Sequence, residues 1–336
     1  MIGLIIILLL VLFLPLTVRQ VENNLEIFLF MMGIAAAITS GVLHMELFVK
    51  ALEDPIHITI AVLVAGLLCK WLQTPLEKGI IFLSKAMTDR VFLAVVVIVL
   101  GFVSSIITAI IAALVLVIIV SVLRLNRQAE IRFVILSCFS IGLGAALTPI
   151  GEPLSTLTIS KLNEEFFYLF QLIGPEVVPS VIALGVASFF LVKPKRDEST
   201  LESDLQPDSY TEIFIRTGKI YLFIMGLTFL GAGFEPFIEE YLLNLHPAVL
   251  YWINTISAVL DNATLAAAEV SPSMSGASIQ AILLGLLISG GMLIPGNIPN
   301  IISAGKLNIT SKEWAQFGLP VGFILMIFFF IVLFLF

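Results

Sequence analysis

Two acids stand inside long apolar stretches of this chain, where a charge is expensive. Asp261 lies in PAVLYWINTISAVLDNATLAAAEV (247–270), beside Asn262 and within reach of Asn254, Ser257 and Thr264; Glu152 lies in Thr148-Pro149-Ile150-Gly151-Glu152-Pro153. An aspartate at the centre of a bilayer costs about 2.5–3.5 kcal/mol on insertion scales, and such acids mark ion or proton pathways. Pro149, Gly151 and Pro153 are echoed further on by Pro295, Gly296 and Pro299. Proline removes an amide donor and bars a continuous helix, so each cluster frees backbone carbonyls inside an apolar run. Carboxylate and carbonyl oxygens suit hard cations. A carboxylate holds a cation or a proton but not both strongly, and that competition is the basis of exchange. The expected ion-binding set is Asp261, Asn262, Glu152, Ser257, Thr148 and Asn297, with a Na+ site at Asp261, Asn262 and Glu152. Ser104, Ser105 and Thr108, a polar group in another apolar run, join the set. The structural alternatives are an N-cap for Asp261 at a hairpin tip and a neutral, hydrogen-bonded acid for Glu152.

Other polar residues read as structural. Lys161 and Lys306 close the two interrupted segments, where a lysine favours a helix C-terminus and snorkels to the interface. Glu269, at the mouth of the second apolar hairpin, reads as solvated rather than as a gate. His44, His57 and His246 fall at outer ends of spans, and Cys69 and Cys138 lie in separate apolar runs, so neither a metal cluster nor a disulfide framework is expected. No nucleotide-binding motif appears, which argues against an ATP-driven pump. The chain reads as no enzyme, with no cofactor beyond the transported ions.

The elements that carry these residues follow from composition. Of 336 residues, 59% are hydrophobic and 12% charged, against roughly 25% charged in a soluble domain. At about 20 residues per crossing, this supplies roughly ten membrane segments. The long Leu/Ile/Val runs lack the alternation of a membrane barrel, so an all-α polytopic membrane protein is expected. A net charge of −7 offers no basic surface to nucleic acid. Apolar runs place spans near 2–17, 25–43, 57–72, 133–160, 166–192, 213–232, 276–304 and 314–336, about eight helices. The first run lacks a basic n-region and reads as a retained span. Two further stretches read as opposed hairpins. Residues 91–123 have Lys78, Lys85 and Arg90 before them and Arg124, Arg127 and Arg132 after, so both ends face the cytoplasm. The 247–270 stretch is flanked by Glu235, Glu239, Glu240 and Glu269 without Lys or Arg, which suits the outside. Residues 193–212 hold nine charges and form a cytoplasmic linker.

The linker separates halves that repeat. Lys161/Lys306, Asn163/Asn308 and Pro175/Pro320 are each 145 residues apart, and Ser104-Ser105…Thr108 aligns over Ser257-Ala258…Asp261. This predicts two extra helices in 1–56, repeat 1 in 57–192 with hairpin 91–123 and broken helix 133–160, and repeat 2 in 213–336 with hairpin 247–270 and broken helix 276–304. Counting crossings makes the repeats inverted. Broken helices at matched positions of inverted repeats point to a transporter's midplane binding site.

TPIGEPLSTL (148–157) and SAVLDNATLAAA (257–268) resemble the ion transporter superfamily, which includes NhaD-type sodium/proton antiporters, arsenite permeases and divalent anion/sodium symporters. The chain is most similar to a small prokaryotic branch of cation transporters, over about residues 57–336. Asp261-Asn262 is similar to the Asp-Asn of the antiporters, whereas the dicarboxylate symporters carry Ser-Asn-Thr at each hairpin tip and this chain has no Asn at its first tip. The resemblance implies a homodimer in the cytoplasmic membrane, with hairpins and broken helices sliding as an elevator. The expected function is exchange of an inorganic cation, Na+, for protons across the lipid bilayer. The alternative is a sodium-coupled anion symporter, with half-helix N-termini holding the anion.

Overall fold

In hydrocarbon every amide and carbonyl must be paired within its own segment, so apolar runs of this length fold as helices. The computed structural model describes residues 2–22, 24–194, 209–241, 245–259, 262–272 and 274–335, all helical or connecting, with no strand among the described residues. The first half contains α1 (Ile2–Thr17), α2 (Arg19–Glu22), α3 (Leu25–Ser40), α4 (Met45–Ala86), α5 (Asp89–Ile107), α6 (Ala109–Leu123), α7 (Arg127–Ala145), α8 (Pro153–Leu162) and α9 (Tyr168–Leu191). The second contains α10 (Tyr210–Tyr241), α11 (Pro247–Ile253), a 3-10 turn (Asn254–Ala258), α12 (Asn262–Glu269), α13 (Gly276–Met292), a second 3-10 turn (Ile294–Gly296), α14 (Ile298–Leu307) and α15 (Ser311–Leu335). Most of the expected linker, residues 195–208, lies outside the described residues.

Six of these helices are long and apolar enough to cross a membrane, counted over the described residues: Met45–Leu72 within α4, α5, α7, α9, Tyr210–Phe237 within α10, and α15. The protein is a polytopic membrane protein. One expectation is corrected. The span expected at 57–72 begins at Met45, so the supposed loop 44–56 is helix and the boundary read at residue 56 falls inside α4. That helix runs 42 residues through Pro55 and Pro75 without stopping. The apolar helices α1 and α3 are shorter, at 16 residues each, as are α6 and α13 at 15 and 17.

Two of the interruptions, those after α7 and α13, sit where prolines cluster. α5 and α6 are separated by Thr108 alone, whose φ of 74° turns the chain and whose hydroxyl accepts from the Ile111 amide to cap α6. α7 stops at Ala145 and α8 starts at Pro153; α13 stops at Met292 and α14 starts at Ile298, with Pro299 in its first turn. Pro153 and Pro299 therefore open helices, where a missing amide costs nothing. Pro149, Gly151, Pro295 and Gly296 lie in the breaks themselves.

α7 and α13 pack on each other at the centre, buried for most of their length. Around them α5 packs on α7 and α9, α6 on α4 and α14, α12 on α8 and α10, and α13 on α15 and the Asn254–Ala258 turn. At one end of the bundle Arg127 ties the start of α7 to the α14–α15 junction, and Arg132 donates to the Leu191 carbonyl at the end of α9 (3.0 Å). Gln280 near the start of α13 donates to the Leu172 carbonyl near the start of α9 (2.9 Å), which defines the opposite end.

Candidate functional site

The first hairpin docks its tip on the first break. The Ala109 amide donates to the Gly151 carbonyl at 2.9 Å, and the Thr148 hydroxyl donates to the Ser105 carbonyl. The Ser104 hydroxyl reaches the carbonyls of Gly101 (2.7 Å) and Ile141 (2.9 Å), and Ser105 donates to Phe102 (2.7 Å). The expected residues Ser104, Ser105, Thr108, Thr148, Gly151 and Glu152 thus come together. The protons of Ser104, Ser105 and Thr148 are committed to backbone carbonyls, so these three offer an ion lone pairs and not donors.

Glu152 is buried at the mouth of α8, as its N-cap residue with φ −155° and ψ 159°. Asn297, 145 residues on, caps α14 with φ −152° and ψ 145°. Both side chains are buried, and neither makes an N-cap hydrogen bond with its own helix. Asn297 also links the halves: its amide nitrogen lies against Gly142 of α7, leaving a Cβ there only 2.8 Å of separation.

At the second tip, Asn262 is buried with its amide nitrogen over Gly290 of α13, next to the Gly296 carbonyl. Its amide nitrogen has no hydrogen-bond partner among the described residues. Asp261 lies outside the described residues, as does the side chain of Ser257, so the full Asp261/Asn262/Glu152 cage is not described. Among the described residues no group of three His, Cys, Asp or Glu side chains could hold a metal ion.

Several carbonyls in and beside the breaks have side-chain donors. Asn300 donates its amide to the carbonyls of Gly290 (2.8 Å) and Leu293 (2.9 Å), and Trp314 donates to Gly291 (3.1 Å). In the first break Ser155 donates to Ala146 (3.1 Å) and Thr156 to Pro149 (2.6 Å). A carbonyl that accepts one such bond keeps a second lone pair, so these donors narrow the expected oxygen set without removing it. The signal that could have found these donors was positional: Ser155 and Asn300 are again 145 residues apart, each early in its half-helix.

Glu269 also needs correction. Expected to be solvated, it is 1% exposed, and its Oε2 accepts from the side-chain amide of Asn254 at 2.9 Å. Asn254 is equally buried, and its carbonyl accepts from Ser289 at 2.7 Å.

A family model for a protein of unknown function, DUF1646, matches residues 1–336. The chain belongs to the DUF1646 family. No curated protein matches it. What this DUF1646 chain assembles is chemically specific all the same: two interrupted helices, hairpin tips on both, and buried carboxyls at Glu152 and Glu269 that can gain or lose a proton. Its polar atoms there are oxygens and amides, which suit a hard cation, together with the buried Cys138 thiol, which lies 3.7 Å from the Pro299 carbonyl at the start of α14.

Proposed function

We propose that this protein is a secondary active transporter that exchanges a small inorganic cation, Na+, for protons, and that it shares the fold of the ion transporter superfamily. The reading rests on one observation above others: a hairpin tip is hydrogen-bonded to a broken helix, through Ala109–Gly151 and Thr148–Ser105. Non-helical backbone at membrane depth is tolerated where it is buried in protein or lines an aqueous cavity, and matched breaks of this kind form ion sites.

An inverted repeat accounts for the packing. Each hairpin packs on the broken helix of its own half, α5 on α7 and α11 on α13. Each also packs on the outer half-helix of the other half, α6 on α14 and α12 on α8. The paired caps Glu152/Asn297 and Asn163/Asn308, the latter both left-handed with φ 54° and 50°, keep the same register. In this reading α1 and α3 are extra, the 193–212 linker is cytoplasmic, and the transporter works as a homodimer in the cytoplasmic membrane. The hairpins and broken helices then move as an elevator against the remaining helices.

Asp261 and Glu152 are assigned as the competing carboxylates, with Asn262, Asn297 and Thr148 supplying neutral oxygens. The position of Glu152 also bears on the anion-symport alternative. A carboxylate at the N-terminus of α8 already answers the positive end of that half-helix, the place a transported anion would take. Purified protein in liposomes with an internal pH dye tests the reading. A Na+ gradient should drive proton movement without any added anion, and proton movement that requires a particular anion would replace exchange with symport.

A further inference from the structure

Resting on the cation/proton exchange just proposed, the structure assigns a separate proton-binding site to Glu269, held between the arms of the second hairpin by Asn254. Glu269 ends α12 and Asn254 opens the 3-10 turn after α11, so their 2.9 Å hydrogen bond joins the two arms. Each is 1% exposed. Asn254 is itself fixed, because the Ser289 hydroxyl of α13 donates to its backbone carbonyl and its amide has a second, longer contact with the Ile282 carbonyl (3.5 Å).

The remaining atoms of the pair point to a proton. Glu269 Oε1 and Asn254 Oδ1 are buried with no hydrogen-bond partner among the described residues. Two acceptors left facing a dry interior cost free energy. Protonating Oε1 turns one acceptor into a donor: the new O–H donates to Asn254 Oδ1 while the Asn254 amide continues to donate to Oε2, closing an acid–amide pair. The same proton removes a negative charge that meets no buried cation among the described residues.

The surrounding elements bear this out. α11, the 3-10 turn and α13 carry no charged residue. On α8 the charged residue is Lys161, which is exposed, and Glu152 is the buried acid that precedes that helix. On α10 the charged side chains that are described, Glu212, Lys219, Glu235 and Glu240, are exposed. Asp261 lies outside the described residues.

The site exists once per chain. In the register that lays Ser257 over Ser104, Asn254 falls on Gly101 and Glu269 on Leu116, so the first hairpin has neither member of the pair. Charge on Glu269 therefore loosens one hairpin and not the other, since the carboxylate then needs water or a cation between its arms. This adds a proton site to the carboxylates Asp261 and Glu152, at which the cation and a proton compete.

Infrared difference spectroscopy of the purified protein during a pH titration tests the assignment, together with Na+-driven proton movement in liposomes. The wild type should show the carbonyl stretch of a buried protonated carboxyl. Glu269→Gln, which preserves the Asn254 contact, should lose that band and lose proton movement. Should Glu269→Gln fail to fold, Asn254→Ala keeps the acid and should shift the frequency and the titration midpoint of the same band. A carboxyl spectrum from which Glu269→Gln removes no component, or whose Glu269 component Asn254→Ala leaves unmoved, overturns the assignment; a component that persists in Glu269→Gln and is lost in Glu152→Gln belongs to Glu152 and leaves it standing. A band traced to Glu269 in a wild-type protein that moves no protons with any cation would keep the site and remove the exchange reading.

Discussion

The backbone of Gly144 lies directly on the carbonyl of Gly101, so α5 and α7 cross with no side chain between them. A Cβ on Gly144 would collide with that carbonyl, a backbone atom that cannot turn aside. Gly144→Ala should therefore cost about 3 kcal/mol or more through overpacking, read as a lower thermal midpoint in detergent. Gly218→Ala in α10, where a Cβ meets nothing within 4 Å, should be neutral or stabilising, since alanine favours a helix by about 1 kcal/mol over glycine.

Glu152 and Asn297 hold the same cap position in the two half-helices but differ in charge. Glu152→Gln keeps the shape and removes the charge, so Na+-driven proton movement should weaken and its pH profile should move. Asp261→Asn should abolish exchange while leaving the protein folded in the membrane. Both are measured with a pH dye in liposomes, and unaltered exchange in Asp261→Asn would refute the cation site as assigned.

Arg127 uses all five guanidinium donors. It grips Glu313 with two bonds (2.9 and 2.7 Å) and adds Glu130 (2.8 Å) and the Leu307 and Asn308 carbonyls (2.9 and 2.6 Å). Glu313 is held in turn by Thr310, in a reciprocal capping box at the start of α15. The cluster is partly exposed, which limits its worth. Arg127→Ala should lower stability by about 1–2 kcal/mol, with Lys recovering only part because an ammonium lacks the planar fork. Thermal denaturation of the three proteins at low and high salt checks both points, and the wild-type advantage should shrink with salt.

Opposite faces are predicted for Lys193, at the end of the first half, and Pro272, between the second hairpin and α13. Single cysteines there, in a background lacking Cys69 and Cys138, should react with an impermeant maleimide from opposite sides. Labelling of both from one side would remove the inverted repeat.

The helical class, the polytopic character and the places where helices stop were legible because they depend on local chemistry. Apolar runs must satisfy their own backbone in lipid, and Pro149-Ile-Gly-Glu-Pro153 cannot continue a helix whatever surrounds it. The 145-residue spacing was legible for the same reason, since Glu152/Asn297 and Ser155/Asn300 are positions along a chain. One boundary was misplaced: the span expected at 57–72 begins at Met45, and α4 passes through Pro55 and Pro75. A proline near a helix end and a proline within a long helix look alike without the neighbouring helices that support the freed carbonyl.

Burial and partnership were decided by tertiary structure alone. Glu269 stands beside Val270-Ser271-Pro272, which reads as a wet loop, but its helix is covered by α8, α10 and α13, drawn from 153–162, 210–241 and 276–292. Its hydrogen-bond partner lies 15 residues back, on the other arm of a hairpin. The carbonyls of Gly290, Gly291 and Leu293, beside the second break, likewise looked unpartnered, and Asn300 and Trp314 donate to them from helices that begin only after the break. A sequence fixes which atoms lack a local partner; only the folded chain determines which distant side chain supplies one, because that depends on which helices come within about 3 Å of each other's exposed backbone.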